Sequence, residues 1–287
     1  MKKVKIIECP RDAMQGITER FIPTEHKISY INALLKVGFD TIDFGSFVSP
    51  KAIPQMRDTA EVLAELDLQN SNSKLLAIVA NLRGAEEACK FDAIDYIGYP
   101  FSISEIFQMR NTGKTIEESV RLLSDLISIC SQNNKELVAY LSMGFGNPYG
   151  DPWTVAIVSD WVKRLSDMGV KILSLSDTVG MADDIIISEL FSNLIPLYPE
   201  IEFGAHLHTH PRNWHSKVDA AFSAGCQRFD GAIMGFGGCP MAKDELTGNM
   251  PTEKLITYFS AKKIDIGLNP LRFESAYNEA LKIFHGI

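Results

Sequence analysis

Two histidines, His206 and His208, stand two positions apart in the run GAHLH. On an extended strand such residues face the same side, so both imidazoles can reach one ion. A carboxylate such as Asp12 and an amide oxygen such as Asn249 would make a set of two nitrogens and two oxygens, leaving positions for water or substrate. Mixed N/O ligation of that kind suits Mg²⁺ or Mn²⁺, and also Zn²⁺, Co²⁺ or Fe²⁺. His208-x-His210 offers a second register, but His210 lies further into the following loop, so His206 and His208 are the predicted pair.

Arg11 precedes Asp12. The two read equally as an ion pair on a barrel rim, or as a metal ligand beside a guanidinium that steadies developing negative charge. The run GFGGCP puts Cys239 in a loop whose glycines let the backbone approach a ligand or close over it. A thiol there can move a proton if a metal or an arginine brings its pKa toward neutrality. The plainer reading is a turn with an incidental cysteine. There is no GxGxxG or Walker run and no convincing Ser/His/Asp order, so neither NAD nor a nucleotide is expected as cofactor.

Such residues need elements to gather them. Short apolar runs at 4–8, 41–44, 75–80, 94–98, 136–142, 172–176, 201–205 and 228–231 alternate with amphipathic stretches near 25–37, 52–66, 83–90, 115–132, 153–168, 183–197, 212–224 and 252–262. Thr24, Thr115 and Asp151-Pro152 read as helix starts, and Gly38 and Gly169 as helix stops. Alternation of this kind implies a parallel sheet, and eight repeats over this length predict a TIM (β/α)8 barrel as one domain, 1–287. The tail from Asn269 has helical spacing and is expected to pack over the barrel. Chemistry on this fold gathers where strands end, and the first, second, fifth, sixth and seventh runs end at Arg11-Asp12, Asp43, Ser142, Asp177-Thr178 and His206-x-His208.

Bulk properties narrow the partners. Of 287 residues, 46% are hydrophobic and 22% charged, which is ordinary globular composition. A net charge of -8 argues against nucleic acid, whose backbone needs clustered Lys and Arg. Five cysteines without a CxxC pair indicate neither a disulfide framework nor a zinc knuckle. The opening run MKKVKIIECPRD has too short an apolar part for a secretory signal, and no stretch approaches a membrane span. A cytoplasmic protein with a small-molecule partner is expected.

Five segments, IIECPRDAMQ, TIDFGSFVSPKAIPQM, LSLSDTVG, GAHLH and GFGGCPMAKDELTGN, resemble successive motifs of the 3-hydroxy-3-methylglutaryl-CoA lyases. That family belongs to a metallolyase barrel superfamily that also holds isopropylmalate, homocitrate and citramalate synthases. The resemblance runs from Val4 to about Leu268, and SFVSPK-x-x-PQM and GGCP are specific to the lyase branch. It implies cleavage of an acyl-CoA tertiary alcohol to acetyl-CoA and a 3-oxo acid, acetoacetate for the family substrate. It implies Asp12, His206, His208 and Asn249 as ligands of Mg²⁺ or Mn²⁺, and Arg11, Cys239 and Asp43 as catalytic residues. Gln15, Ser142, Asp177 and Thr178 are the candidate substrate contacts, and a dimer or tetramer of identical chains is expected. Three departures stand out: Asp43 replaces the usual Glu, Ala13-Met14-Gln15-Gly16 replaces GLQN, and Thr209-His210 follows where Asp-Thr is usual. The alternatives are a Claisen-type synthase, a lyase for a related 3-hydroxyacyl-CoA, and a non-catalytic binding protein on the same barrel.

Overall fold

The computed structural model describes residues 3–238 and 247–285. Its strands are β1 (Lys5–Glu8), β2 (Thr41–Ser46), β3 (Lys74–Ile78), β4 (Tyr96–Ser102), β5 (Glu136–Ser142), β6 (Ile172–Ser176), β7 (Glu202–His206), β8 (His208–Thr209), β9 (Arg228–Gly231) and β10 (Gly248–Asn249). Seven of the predicted runs become β1 to β7 and the eighth becomes β9. They close in chain order as one parallel barrel, β9 pairing β1 with Lys5 opposite Arg228 and Glu8 opposite Gly231.

The pleat sorts each strand between two cores. One parity faces the helices: Ile6, Ile42, Leu75, Ile97, Leu137, Leu173, Phe203 and Phe229 join one large apolar cluster. The other parity faces inward, where Leu76, Ile78, Tyr96, Val138, Tyr140 and Ile172 form a separate cluster. The barrel is therefore filled, and its polar inward residues are exceptions that need explaining.

Several local expectations are corrected. The stretch 52–66 is not one helix but a 3-10 turn, Pro54–Met56, followed by helix Thr59–Ala64. The Thr59 hydroxyl occupies the Met56 carbonyl that a continuous helix would have used. Thr115 caps helix Ile116–Gln132 in a full capping box with Glu118. Thr24, by contrast, is the first helical residue of Thr24–Leu35, its hydroxyl spent on Asp58 at 2.8 Å. Asp151 does not open the next helix, because its carboxylate is held by Ser104 at 2.5 Å; Thr154 caps Val155–Asp167 instead. Two short helices, Pro10–Gln15 and Glu105–Thr112, have no counterpart among the predicted stretches.

The tail forms helix Pro270–His285 and lies against helix Thr24–Leu35. Its Phe284 stacks on Phe236 at 4.3 Å between ring centroids and meets Tyr30 edge-on. Phe236 belongs to the loop after β9, so the tail buttresses the rim from outside. Among the described residues, no helix is long and apolar enough to cross a membrane.

Candidate metal centre

Three elements build the centre. Pro10 opens the short helix that follows β1, which carries Arg11 and Asp12 inward at the rim. β7 ends in His206, and the chain bends directly into β8, which begins with His208. β8 then pairs antiparallel with β10, placing Asn249 opposite His208. That small ladder is what brings Asn249 to the histidines from a distant part of the sequence.

The ligating atoms of Asp12, His206 and His208 all lie within 4.8 Å of one another. The Asn249 amide donates to Asp12 Oδ2 at 2.6 Å and to the Phe236 carbonyl at 2.9 Å. Its own carbonyl oxygen is thereby turned away from those acceptors. Gly237, at φ +97°, packs so closely that an added Cβ would stand 2.5 Å from the Asn249 amide, so glycine is required there.

The protonation states fit a cation. Burial, then neighbouring His206, pulls His208 down to about 3, leaving a neutral imidazole with a lone pair to give. Burial works against Asp12 ionising, yet Arg11 and then His206 hold it below the ordinary carboxylate value. Burial would also lower His206, but its Nδ1 lies 3.0 Å from Asp230 Oδ2, and that bond raises it. With Nδ1–H given to Asp230, Nε2 is the nitrogen left for a metal. Cys9, His206 and Asp230 form a second close group. Burial, aided by four surrounding carboxylates, keeps the Cys9 thiol protonated, and Asp230 is engaged on His206, so the set with Asp12 and His208 is the one suited to a divalent ion.

Beside this set, Arg11 is held as in a vice. Its Nε lies 3.1 and 3.0 Å from the two Asp43 oxygens, its Nη2 2.5 Å from Asp43 Oδ2, and its Nη1 3.0 Å from Asp12 Oδ1. Burial pushes Asp43 up to about 6 against the pull of Arg11, so it is still anionic at neutral pH. Gln15 donates to Asp12 Oδ1 at 2.7 Å and so braces the same carboxylate.

The remaining predicted residues lie elsewhere on the rim. Ser142 ends β5, buried. Thr178 Oγ1 accepts from the Met143 backbone at 2.8 Å. Asp177 pairs with Lys217 at 2.6 Å, and Lys217 also donates to the His208 carbonyl at 2.8 Å. Cys239 lies outside the described residues. Sequence reasoning missed Asp230, Lys217 and Glu8, all buried. Asp230 had a signal: a carboxylate inside a predicted barrel strand, two residues from Arg228 and so on the same face.

A filled (β/α)8 barrel with a mixed histidine–carboxylate centre at the strand ends defines a class of metal-assisted enzymes. The family model for HMGL-like proteins matches residues 3–278, and the chain belongs to that family. It is 32% identical to the hydroxymethylglutaryl-CoA lyase YngG of Bacillus subtilis over 269 residues, 93% of this chain and 88% of that protein. It is 31% identical to the 3-hydroxy-3-isohexenylglutaryl-CoA/hydroxy-methylglutaryl-CoA lyase of Pseudomonas aeruginosa, with the same coverage of 93% and 88%. The structure of an HMG-CoA lyase from Acinetobacter baumannii with coenzyme A and 3-methylmalate superposes with a TM-score of 0.89 at 28% identity, covering 98% of this chain and 91% of that one.

Proposed function

We propose that this chain is a divalent-metal-dependent carbon–carbon lyase that splits (S)-3-hydroxy-3-methylglutaryl-CoA into acetyl-CoA and acetoacetate. The observation that carries the reading is the meeting of Asp12, His206 and His208 within 4.8 Å beside a guanidinium fixed by Asp43. Asp12, His206, His208 and Asn249 would hold Mg²⁺ or Mn²⁺, which as a Lewis acid polarises the oxygens of a bound hydroxy acid. In the reaction the 3-hydroxyl loses its proton and becomes a ketone while the C2–C3 bond breaks. That electron pair passes to the acetyl thioester as an enolate, which is then protonated at C2. Arg11, charged at every working pH, stabilises the enolate oxygen. Asp43 keeps it aimed, and Gln15 steadies Asp12. Cys239 carries the proton. Ser142 and Thr178 are the nearby strand-end groups proposed for substrate contact, while Asp177 is held by Lys217 and the Ala182 backbone. With this activity we place the chain in leucine breakdown in the cytoplasm, acting as a homo-oligomer.

A related 3-hydroxyacyl-CoA is the second reading. It is favoured by the Pseudomonas relative, whose name includes a bulkier 3-substituent, and by Asp43, whose carboxylate sits one methylene shorter than the usual glutamate. The test is to incubate purified protein with HMG-CoA and Mg²⁺ or Mn²⁺ and measure acetoacetate against a Cys239→Ala control. Acetoacetate above the control is the expected result. None from HMG-CoA but cleavage of a longer 3-alkyl analogue selects the second reading. Release of free CoA from acetyl-CoA with pyruvate or 2-oxoisovalerate would instead mark a synthase.

A further inference from the structure

Inside the barrel, on the strands that carry His206 and its neighbours, five polar atoms are buried with no hydrogen-bond partner among the described residues. They are Tyr140 Oη, Ser174 Oγ, Arg228 Nε and Nη2, and Asp230 Oδ1. The sheet register gathers them. Tyr140 is opposite Ser174, Ser174 opposite Gly204, and Gly204 opposite Arg228, so four adjacent strands present one row to the interior. Asp230 stands two residues beyond Arg228 on the same face of β9. Gly204 adds no side chain to the row, and a Cβ there would crowd it, 3.0 Å from Ser174 Oγ and 3.2 Å from Arg228 Cδ.

The charges around these atoms are matched. Arg228 Nη1 donates to Glu202 at 3.0 Å, Glu202 is paired below with Lys5 at 2.5 Å, and Asp230 offsets the guanidinium from above. An anion therefore has no excess positive charge to bind. Donors and acceptors do complement each other: two guanidinium nitrogens with three N–H bonds between them, one carboxylate oxygen, and two hydroxyls that can do either. Polar atoms grouped in this way and shut from bulk solvent are the pattern that buried water satisfies.

We propose that the barrel interior beneath His206 is a water-binding site, in which bridging water joins the Arg228 guanidinium to the free oxygen of Asp230. With both oxygens engaged, the Asp230 carboxylate has one orientation, and Arg228 becomes a positioning residue for His206. This second half rests on reading His206 as a metal ligand.

High-resolution diffraction from the wild-type protein tests the site directly. Ordered solvent within hydrogen-bonding distance of Arg228, Asp230 and at least one of the two hydroxyls is expected; its absence overturns the proposal. Thermal unfolding of Tyr140→Phe and Ser174→Ala gives a test of sign. Tyr140→Phe keeps the edge-on contact with His206 at 5.7 Å and removes only the hydroxyl. If water is bound, each deletion leaves it a bond short and Tm falls by about 2 °C. If the atoms are dry, the same deletions remove an unpaired buried group and Tm rises, which refutes the site. For the positioning role, the double variant should raise the Mn²⁺ dissociation constant about threefold. An unchanged constant beside a lowered Tm would overturn that half alone. Wild-type protein that takes up no Mn²⁺ would sink the metal reading and the positioning role with it, while the solvent density and the sign of the Tm shift still decide the water site.

Discussion

Two buried ion pairs lie on the same rim and differ in what their partners leave over. Lys217–Asp177 is saturated. The lysine donates to Asp177, to the Gly180 carbonyl and to the His208 carbonyl, while Asp177 also accepts from the Ala182 backbone. It ties helix Trp214–Ser223 to the loop after β6 and to β8, and the lysine has no N–H to spare for a ligand. Arg11–Asp43 is built from side chains alone, and its guanidinium reaches onward to Asp12, a carboxylate braced by Gln15 and Asn249 and set beside two histidines. Burial of charge is common to both. A pair bound to backbone acts as scaffolding, and a pair bound to titratable side chains is placed to act on something that arrives.

Substitutions at the two pairs should therefore have opposite signatures. Arg11→Lys keeps the charge but loses the fork that grips Asp43, and kcat should fall by about 10²–10³-fold with Tm little changed. His208→Ala belongs with it: a comparable loss of kcat is expected, together with loss of Mn²⁺ binding, in a protein whose circular dichroism is that of wild type. Loss of fold in either variant would erase the distinction drawn above. Lys217→Met should do the reverse. It strands Asp177 in the interior, and such broken buried pairs cost about 3–5 kcal/mol, readable in urea denaturation. The folded fraction should still cleave substrate. If instead Lys217→Met stays stable but inactive, Asp177 is a substrate contact rather than a loop tie.

Much of the comparison was legible in the residues, and the limit is physical. The eight barrel strands were readable because parallel strands buried on both faces are short, nearly continuous apolar runs. Arg11, Asp12, His206 and His208 were readable because they sit where such runs end. What could not be read was pairing between distant loops. Nothing local links Lys217 to Asp177, or tells that Gly248–Asn249 will lie against His208–Thr209 as a second small ladder. Helix Pro10–Gln15 did carry a signal, proline at its first position, but six residues are too few to show a helical period. The tail was foreseen as a helix, whereas its stacking of Phe284 on Phe236 depends on a loop whose course only the fold supplies.

Glu8 extends the scaffolding side of the comparison and gives it a pH dependence. Fully buried, it accepts from the Ile233 backbone at 2.9 Å and from the Thr252 hydroxyl at 2.5 Å. Burial raises its pKa from the ordinary 4.5 to about 8, more than those two bonds lower it. Between those values the unfolded chain gives up the proton while the folded chain keeps it. The stability this carboxyl contributes is thus complete below pH 4.5 and lost as pH rises through about 8. Glu8→Gln, which resembles the protonated acid, should flatten that slope. Its Tm minus that of wild type should grow more positive from pH 5 to pH 8.5, and a constant difference would mean that Glu8 is ionised in the fold throughout.

The smallest effect is expected at Asp43, where the comparison is sharpest. Asp43→Glu preserves charge and acceptor atoms and adds one methylene at a position with 1% exposure. Because Asp43 holds both Nε and Nη2, the added length cannot be taken up by the carboxylate alone, and the guanidinium must shift toward Asp12 or turn. A displacement near one methylene, at a group that meets developing charge, should change kcat for HMG-CoA by about tenfold, less than removing the fork altogether. Stability should hardly move, since the pair survives. If substrate size is what the short carboxylate accommodates, the variant should lose more activity on a bulkier 3-alkyl substrate than on HMG-CoA. Equal kinetics on both would mean that Asp43 acts as Asp177 does, holding a cation in place without setting where it points.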